Sequence, residues 1–423
     1  MQKIHDVKEY SSDKVILVTI VLREDVEKGW GLEETHAEFR ELALTSGVKI
    51  IDEIMVKIDA PKPKYFLGKG KIEEIHEIIH SHDKEIKAVI VSENLSGTQQ
   101  RNLEELLGVK VLDRTQLILD IFSQRAHTNE GKLQVELAQL EYMLPRLSGL
   151  GIKLSRLGGG IGTRGPGEKM LETDRRGVRR KIKYLKADLD SLSERRTKLR
   201  KNRLEHSVVT VAVIGYTNAG KSTLLNSLTE SDVTADNRLF STLDLTSRKY
   251  VLDNNQKILF VDTVGFIHKL PHNLIEAFKA TLEEVKEADL LLHILDISNP
   301  KAKEHSDAVY EVLKELDAHE KPIVTALNKV DLVEDSFVTN KFKRVIRDSV
   351  AVSAKNGIAL KELIDLIARR IPVLTKKIEI LIPYAKMSLL SQIYEQGEVL
   401  SREDTDKGIF VKAVIPHHLN FKM

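Results

Sequence analysis

Short apolar runs alternate with amphipathic stretches over the first 112 residues. The runs at 15–21, 49–56, 87–91 and 109–112 predict strands, and the stretches near 33–46, 71–82 and 98–107 predict helices. Strands that alternate with helices favour a small parallel α/β sheet domain. The Gly-Lys-Gly-Lys turn at 68–71 resembles half of a phosphate-binding loop and could hold a second nucleotide. The interpretation we favour is a basic turn that opens a helix.

Two stretches of leucines spaced by four and three residues come next. The first stretch has Leu133, Leu137, Leu140, Leu144 and Leu147, and the second has Ile182, Leu185, Leu189, Leu192 and Leu199. Two heptad-like stripes joined by a loop predict an antiparallel helical hairpin. The joining segment, 149–167, is so rich in glycine that it predicts a loop without regular structure.

From residue 206 onward the pattern again alternates between strands and helices. Apolar runs at 208–214, 258–261, 323–327 and 350–352 predict buried strands of a second sheet. After residue 372 the pattern predicts a strand at 378–382, a helix at 387–394, and strands at 399–402 and 409–415. We therefore predict four domains, at residues 1–130, 131–205, 206–372 and 373–423.

The first strand of the second sheet runs into a complete GxxxxGK[ST] loop, from Gly215 to Ser222, and a helical pattern follows. Backbone N–H groups converge on phosphate at such a helix start. We expect Gly215 and Gly220 to let the backbone close around phosphate, and Lys221 to reach the β- and γ-phosphates. The Ser222 hydroxyl is a predicted Mg²⁺ ligand.

A second motif, Asp262-Thr-Val-Gly265, follows the next apolar run. Asp262 is the expected outer partner of the metal, and Gly265 can offer its N–H to a γ-phosphate. The polar stretch 237–244 has the position of a segment that orders around γ-phosphate and Mg²⁺. Within it we select Thr242 as the metal ligand, with Ser241 and Thr246 as competitors.

Two further motifs indicate which base is bound. Asn328-Lys-Val-Asp331 follows a predicted buried strand, at the end where open α/β sheets bind ligands. The Asp331 carboxylate can accept from guanine N1–H and N2–H₂, whereas adenine would leave it unpaired. Lys329 could lay its stem along the base. Ser353-Ala-Lys355 is expected to close over the other edge of guanine through backbone N–H groups.

These motifs predict an α/β protein whose P-loop GTPase domain has a mixed, mostly parallel sheet. That domain is preceded by the small parallel α/β domain and the antiparallel helical hairpin. Lys221, Thr242 and Gly265 are the predicted catalytic residues, and Ser222 and Thr242 the predicted metal ligands. The predicted nucleotide-binding residues are Gly215, Tyr216, Thr217, Asn218, Ala219, Gly220, Lys221, Ser222, Thr223, Asp262, Thr263, Val264, Gly265, Asn328, Lys329, Asp331, Ser353, Ala354 and Lys355.

Phe266 occupies the position at which Ras-like proteins have a glutamine that orients the attacking water. Phenylalanine has no donor or acceptor for that role, so we expect slow intrinsic hydrolysis. Either a partner supplies the missing group, or another group of this chain does. Phe266 could also simply be a core residue, which leaves that expectation unchanged.

The composition indicates an intracellular protein of several domains. Its 423 residues exceed one ordinary core, and the lack of cysteine excludes disulfides, thiolate metal sites and cysteine nucleophiles. The first residues lack the apolar core of a signal peptide, and no apolar run approaches the roughly 20 residues of a membrane span. We therefore expect a cytoplasmic protein without a membrane span.

Basic charge is concentrated in the second predicted helix of the hairpin. Residues 175–203 hold 13 basic and 3 acidic side chains, so 13 − 3 = +10, while the whole chain carries only +2. A solvated helix face explains part of this excess, but its place beside a glycine- and arginine-rich loop favours a phosphate-rich surface. No series of aromatic residues interleaves with the basic ones, so base stacking and sequence readout are not indicated. Structured RNA contacted through its backbone fits better. We do not expect DNA as a partner.

The segments 113–116, 134–140, 154–168 and 171–176 together resemble those of HflX GTPases. The resemblance covers about residues 10–370, and the glycine-rich loop is specific to that family. It implies a GTPase that binds the large ribosomal subunit and its rRNA, and that splits stalled or idle ribosomes, especially under stress. It also implies that the N-terminal part and the loop reach toward the peptidyl transferase centre. We expect the protein to be a monomer.

Two details of the phosphate-binding motifs also match the family. Asn218 matches an asparagine that helps to hold K⁺ in related cation-dependent GTPases, so stimulation by K⁺ is a hypothesis. The hydrophobic residue in place of the catalytic glutamine is shared as well. A GTP-dependent assembly or RNA-binding factor that never splits ribosomes is the alternative function.

Overall fold

The computed structural model describes residues 13–82, 85–147, 166–205, 208–229, 239–240, 246–254, 256–269, 271, 274, 279–372 and 375–416. The chain forms two compact units. The first, here called the N-terminal unit, runs to Asp190 and also includes Leu239, Phe240, Lys269, Pro271 and Leu274. The remaining described residues form the C-terminal unit.

The N-terminal unit is built on a four-stranded parallel sheet of order β2-β1-β3-β4. Its strands are β1 (Lys14–Leu22), β2 (Lys49–Ile58), β3 (Ile86–Val91) and β4 (Lys110–Leu112). Its helices are α1 (Arg23–Glu27), α2 (Leu32–Thr45), α3 (Lys69–Ser81), α4 (Gly97–Leu107) and α5 (Arg114–Arg125). All four strands predicted from the sequence are present. Strand β1 is buried on both faces, as an inner parallel strand requires.

Local signals explain where these helices begin and end. The Ser96 hydroxyl accepts the Gln99 N–H, and the Gln99 side chain returns a bond to the Ser96 backbone, which completes a capping box for α4. Gly108 ends the same helix in the left-handed region, at φ 69°. Helix α3 begins at Lys69 directly after Gly68. This start agrees with a basic turn that opens a helix.

Two long helices, α6 (Asn129–Arg146) and α7 (Pro166–Glu205), carry the leucine stripes. Leu137, Leu140 and Leu185 form their shared buried cluster. Ion pairs join Lys181 to Glu136 and Lys186 to Glu141. The unit boundary falls within α7, after Asp190.

Helix α7 starts earlier than its leucine stripe indicates, because proline is favoured at a first helical position. Thus 166–167, predicted as loop, are helical, whereas 149–165 lie outside the described residues.

The C-terminal unit contains a six-stranded sheet of order β10-β9-β8-β5-β7-β6, parallel except for β6. Its strands are β5 (Val209–Gly215), β6 (Thr246–Val251), β7 (Lys257–Asp262), β8 (Leu290–Asp296), β9 (Ile323–Asn328) and β10 (Ser349–Ala351). Its helices are α8 (Lys221–Thr229), α9 (Lys279–Glu287), α10 (Ala302–Glu315), α11 (Ser336–Val345) and α12 (Leu360–Arg370). The predicted mixed, mostly parallel sheet is confirmed.

A small antiparallel sheet of order β11-β13-β12 ends the described chain. It consists of β11 (Thr375–Ile382), β12 (Glu398–Thr405) and β13 (Gly408–Pro416), with α13 (Met387–Gln396) between the first two strands. The predicted order of strand, helix, strand and strand is present. These elements bury a core of their own around Ile382, Ile393 and Val411. Among the described helices, none is long and apolar enough to cross a membrane.

Candidate nucleotide site

The phosphate loop joins β5 to α8 at the carboxyl edge of the parallel strands. Gly215 has φ 154°, and a Cβ there would lie 2.4 Å from the Ile294 carbonyl oxygen. Gly220 has φ 95°, and its Cβ would lie 2.4 Å from the Asn328 amide nitrogen. Glycine is therefore required at both ends of the loop.

Lys221 lies inside this loop. Its ammonium donates to the carbonyl oxygens of Gly215 (3.1 Å) and Tyr216 (2.8 Å), and the residue is only 7% exposed. Burial lowers the pKa of Lys221 to about 8, although Asp262 opposes that shift. The cation is thus held where the motif predicts phosphate, in surroundings that favour an anionic ligand.

Ser222 and Asp262, from two separate motifs, meet at the start of α8. The Ser222 hydroxyl donates to the Asp262 carboxylate over 3.1 Å. A hydroxyl and a carboxylate are oxygen ligands of the kind that Mg²⁺ prefers, so these residues fit that ion. Thr263 is different, because its buried hydroxyl donates to the Val213 carbonyl and holds the strand end.

Thr242 and its competitor Ser241 lie outside the described residues. The other competitor, Thr246, begins β6 and pairs with Asp262 across the antiparallel strands. From the predicted ordering segment 237–244, only Leu239 and Phe240 are described, and both are buried. In the N-terminal unit the Phe240 ring meets Phe122 edge to face, with centroids 4.8 Å apart.

The Asp-x-x-Gly segment lies along the beginning of the phosphate loop. The Phe266 N–H donates to the Gly215 carbonyl (3.1 Å), and the Phe266 carbonyl accepts the Thr217 N–H (2.7 Å). A Cβ on Gly265 would lie 2.9 Å from the Lys221 ammonium, so the segment passes directly beside that cation. The Phe266 side chain is 1% exposed, which makes it a core residue.

Asn328 connects the loops expected to surround the nucleotide. Its amide donates to the Ala219 carbonyl (2.8 Å), and its side-chain oxygen accepts the Ala354 N–H (3.0 Å). The Ala354 carbonyl in turn accepts from Ser227 of α8 (2.6 Å). The phosphate loop and the 353–355 loop are therefore tied together through one side chain.

The other predicted base-binding residues surround this connection. Lys329 has φ 64° and pairs with Asp296 over 2.7 Å. Asp331 is exposed within the single-turn helix Val330–Leu332, so its carboxylate is accessible to a base. Ser353 is buried, and its hydroxyl accepts the Asn356 N–H, whereas Lys355 is exposed.

His293, a polar residue within the apolar run of β8, was not selected from the sequence. Neither ring nitrogen has a hydrogen-bond partner among the described residues. Burial lowers the pKa of His293 to about 4, and the Lys221 charge adds to that shift. A lone histidine in an otherwise apolar strand is the sequence signal that could have revealed it.

The basic helix α7 presents its charge to solvent over its described side chains. Arg176, Arg179, Arg180 and Lys183 are all exposed. One aromatic side chain, Tyr184, lies among them and is 66% exposed. This face has the composition expected of a phosphate-binding surface.

Comparisons with known proteins show which proteins the chain resembles. Family models match four successive segments of the chain. They are GTP-binding GTPase N-terminal (33–123), GTP-binding GTPase Middle Region (125–203), 50S ribosome-binding GTPase (210–329) and HflX C-terminal domain (339–415).

Known relatives match most of the length of the chain. It is 48% identical over 383 residues to GTPase HflX of Caldanaerobacter subterraneus subsp. tengcongensis, covering 90% of this chain and 88% of the relative. It is 41% identical over 392 residues to GTPase HflX of Escherichia coli K12, covering 91% and 89%. A GTP-binding protein from Sulfolobus solfataricus, crystallised with GDP, is 26% identical with a TM-score of 0.42, covering 84% of this chain and 97% of that one.

Proposed function

The chain belongs to the HflX family of GTPases, and we propose that it binds the large ribosomal subunit and dissociates stalled or idle ribosomes. The predicted family and the predicted GTPase activity are both confirmed by these relatives. GTP is therefore the substrate, and GDP and phosphate are the products.

We assign the nucleotide roles to the residues gathered at the carboxyl edge of the second sheet. Ser222 and Thr242 would hold Mg²⁺, with Asp262 behind them, and the ion would neutralise charge on the phosphates. Lys221 binds the β- and γ-phosphates, and Gly265 offers its N–H to the γ-phosphate. Asp331 selects guanine.

Asn218 is the residue we assign to a K⁺ ion. It is exposed, with φ 60°, a backbone conformation that asparagine tolerates better than most residues. Replacing K⁺ by Na⁺ at constant ionic strength is expected to slow hydrolysis. An Asn218→Ala variant is then expected to respond equally to both ions, and a wild-type rate that ignores the exchange would contradict this assignment.

The exposed basic face of α7 is the observation that carries the ribosomal proposal. Arg176, Arg179 and Arg180 project from one long helix, and a run of this kind binds a polyanion by releasing its counterions. The neighbouring segment 149–165 contributes Arg156 and Arg164 to the same part of the sequence. Ribosomal RNA is the phosphate-rich surface that fits a GTPase of this family.

Sedimentation of intact ribosomes tests the proposal. Ribosomes are incubated with the full-length protein and GTP, a non-hydrolysable GTP analogue or GDP, and then separated on a sucrose gradient. We expect free subunits with GTP and with the analogue, the protein on the large subunit, and little dissociation with GDP. Co-migration with unsplit ribosomes or with free large subunits alone would instead support a binding or assembly factor.

A charge-matched control gives this experiment its specificity. Arg176, Arg179 and Arg180 are changed to alanine in one protein, and Lys341, Lys343 and Arg344 of α11 in the other. Both sets comprise three exposed basic residues on a helix. The first protein is expected to dissociate fewer ribosomes and to show a shallower salt dependence of binding, whereas the second should behave as wild type. Equal losses in the two proteins would contradict a specific role for α7.

A further inference from the structure

Tyr216 is the second residue of the phosphate loop, and its side chain contacts two other segments of the C-terminal unit. The residue is 4% exposed. Its ring lies flat on the His305 imidazole of α10, with centroids 3.8 Å apart and an angle of 2° between the planes. Its hydroxyl accepts the backbone N–H of His268 over 2.7 Å. One side chain therefore joins the phosphate loop to the segment that follows the Asp-x-x-Gly motif.

This contact completes a row of three hydrogen bonds. The first two are the backbone bonds between Phe266 and its neighbours Gly215 and Thr217. They form an isolated parallel bridge between Tyr216 and Phe266. Backbone bonds are available to almost any sequence, whereas the bond to His268 depends on a hydroxyl at position 216. The tyrosine thus extends the row by two residues.

The row determines where Gly265 lies. A Cβ on Gly265 would fall 2.8 Å from the Thr217 methyl carbon and 2.9 Å from the Lys221 ammonium. The backbone of Gly265 is therefore seated against the cation that is expected to bind the γ-phosphate. Because the Phe266 side chain is buried and apolar, backbone groups of this segment must do more of the positioning than in proteins with a glutamine there.

We propose that Tyr216 is a positioning residue for GTP hydrolysis. Its hydroxyl fixes residues 265–268 in register with the phosphate loop, and the stacked His305 ring fixes the hydroxyl. The backbone N–H of Gly265 is then held toward the γ-phosphate without a glutamine side chain. This inference rests on the proposed role of Gly265 and adds the residue that places it.

Pure core packing is the competing explanation for a buried tyrosine at this position. Packing would be served equally well by phenylalanine, which has the same ring and lacks the acceptor. If Tyr216 only packs, its hydroxyl affects neither the rate at which bound GTP is hydrolysed nor the affinity for nucleotide. The positioning role instead affects the rate of bound GTP and leaves GDP affinity unchanged.

Single-turnover hydrolysis of GTP by the full-length protein separates the two explanations. We expect Tyr216→Phe to slow the reaction of bound GTP about three- to tenfold, the effect of one lost hydrogen bond. The dissociation constant for GDP and the KM for GTP should stay within about twofold, as expected when an interaction acts only in the transition state. Tyr310→Phe, on the same helix as His305, is the matched control and should hydrolyse GTP at the wild-type rate.

Two further variants test the links on either side of the hydroxyl. His305→Ala removes the stacking partner and is expected to slow hydrolysis, whereas His305→Phe keeps a flat ring and should restore most of the rate. Gly265→Ala is expected to abolish hydrolysis, because its Cβ has no space. If Gly265→Ala remains active, the role of the segment is wrong and the proposal fails with it.

If Gly265→Ala is inactive but Tyr216→Phe hydrolyses GTP at the wild-type rate, only the role of Tyr216 is wrong. A Tyr216→Phe protein that hydrolyses GTP faster would also overturn the proposal, because the hydroxyl would then hold back the segment. Parallel losses of GDP affinity and rate would indicate general support of the loop, which contradicts positioning.

Discussion

The four-stranded and six-stranded sheets of this chain use the carboxyl ends of their parallel strands in opposite ways. In the C-terminal unit, this edge carries the phosphate loop, Asp262 and Asn328. In the N-terminal unit, acidic residues follow three strands in the same manner, namely Asp25 after β1, Glu93 after β3 and Asp113 after β4. Open α/β sheets usually bind ligands at this edge.

Cations of the protein itself occupy the edge of the N-terminal sheet. Lys269 contacts Asp25 (2.7 Å) and Glu93 (2.6 Å), and Arg146 contacts Asp113 (3.0 Å). Burial raises the pKa of Glu93 and of Asp113, although Lys269 and Arg146 oppose these shifts. The paired cations thus stabilise carboxylates that are costly to bury.

The difference shows that a parallel arrangement of strands does not by itself determine whether their carboxyl edge binds a ligand. In one unit the carboxylates are matched by lysine and arginine, and in the other the loop glycines keep the edge open beside Lys221. Substitutions at the two edges should therefore have different consequences. Those at the open edge should change nucleotide binding, and those at the filled edge should change stability.

Asp331→Asn should have the largest effect, at the open edge. The asparagine amide cannot accept both guanine N–H groups, but it can pair with xanthine, whose second carbonyl replaces the amino group. We expect GTP affinity to fall about 10- to 1000-fold and XTP to bind better than GTP. Titration with fluorescent nucleotides measures both affinities. Asp335→Asn, a cap of α11 with the same change of charge, should bind GTP normally. Undiminished GTP affinity in Asp331→Asn would show that Asp331 does not contact the base.

Lys269→Met tests the filled edge. The substitution leaves two buried carboxylates without their shared cation, and we expect it to lower the free energy of unfolding by about 2–4 kcal/mol. Trp30, the single tryptophan, is buried, and its backbone N–H donates to the backbone carbonyl of Asp25. Urea unfolding followed by its fluorescence therefore reports on this region.

Lys71→Met is the matched control for that measurement, because it lies in the same unit as Trp30. Lys71 pairs with Glu74 over 2.6 Å on the surface of α3, and such surface pairs contribute about 0–1 kcal/mol. If Lys269→Met costs no more than this control, the cation does not stabilise the N-terminal edge.

His293→Leu tests a titratable group that is buried inside strand β8 and not at the carboxyl edge of a sheet. The pKa of His293 is about 4 in the folded protein, against 6.5 for an ordinary histidine. Between these values the unfolded chain binds a proton that the folded protein does not, so stability falls as the pH falls from 6.5 to 4. The loss amounts to up to about 3 kcal/mol. Denaturant unfolding at pH 7 and pH 4.5 should show a smaller loss in the variant, and parallel losses would refute this origin.

Lys221 should give the smallest effect, a fractional proton uptake. Its pKa of about 8 should rise when phosphates bind, because they favour the ammonium form. We therefore expect GDP binding to take up roughly half a proton at pH 8 and to weaken as the pH rises further. Calorimetry in two buffers of different ionisation enthalpy measures this uptake. An uptake of zero would mean that the phosphates do not meet this ammonium.

Local sequence predicted the four nucleotide motifs and the strands other than β6 and β8, because loops, helix starts and apolar runs are encoded within a few residues. Contacts between distant segments were not predictable in this way. Neither the pairing of Lys269 with Asp25 and Glu93 nor the bond from His268 to Tyr216 has a local pattern. The leucine stripe likewise left the start of α7 undefined, since only Pro166 marks it.

We propose to measure GTP turnover with and without purified large ribosomal subunits, to test whether this GTPase acts on the ribosome. We expect slow turnover by the isolated protein, because Phe266 is buried and offers no group to the attacking water. Large subunits should stimulate turnover strongly, and less so when Arg176, Arg179 and Arg180 are alanine. Fast turnover by the isolated protein, or a rate that large subunits leave unchanged, would contradict a ribosome-stimulated GTPase.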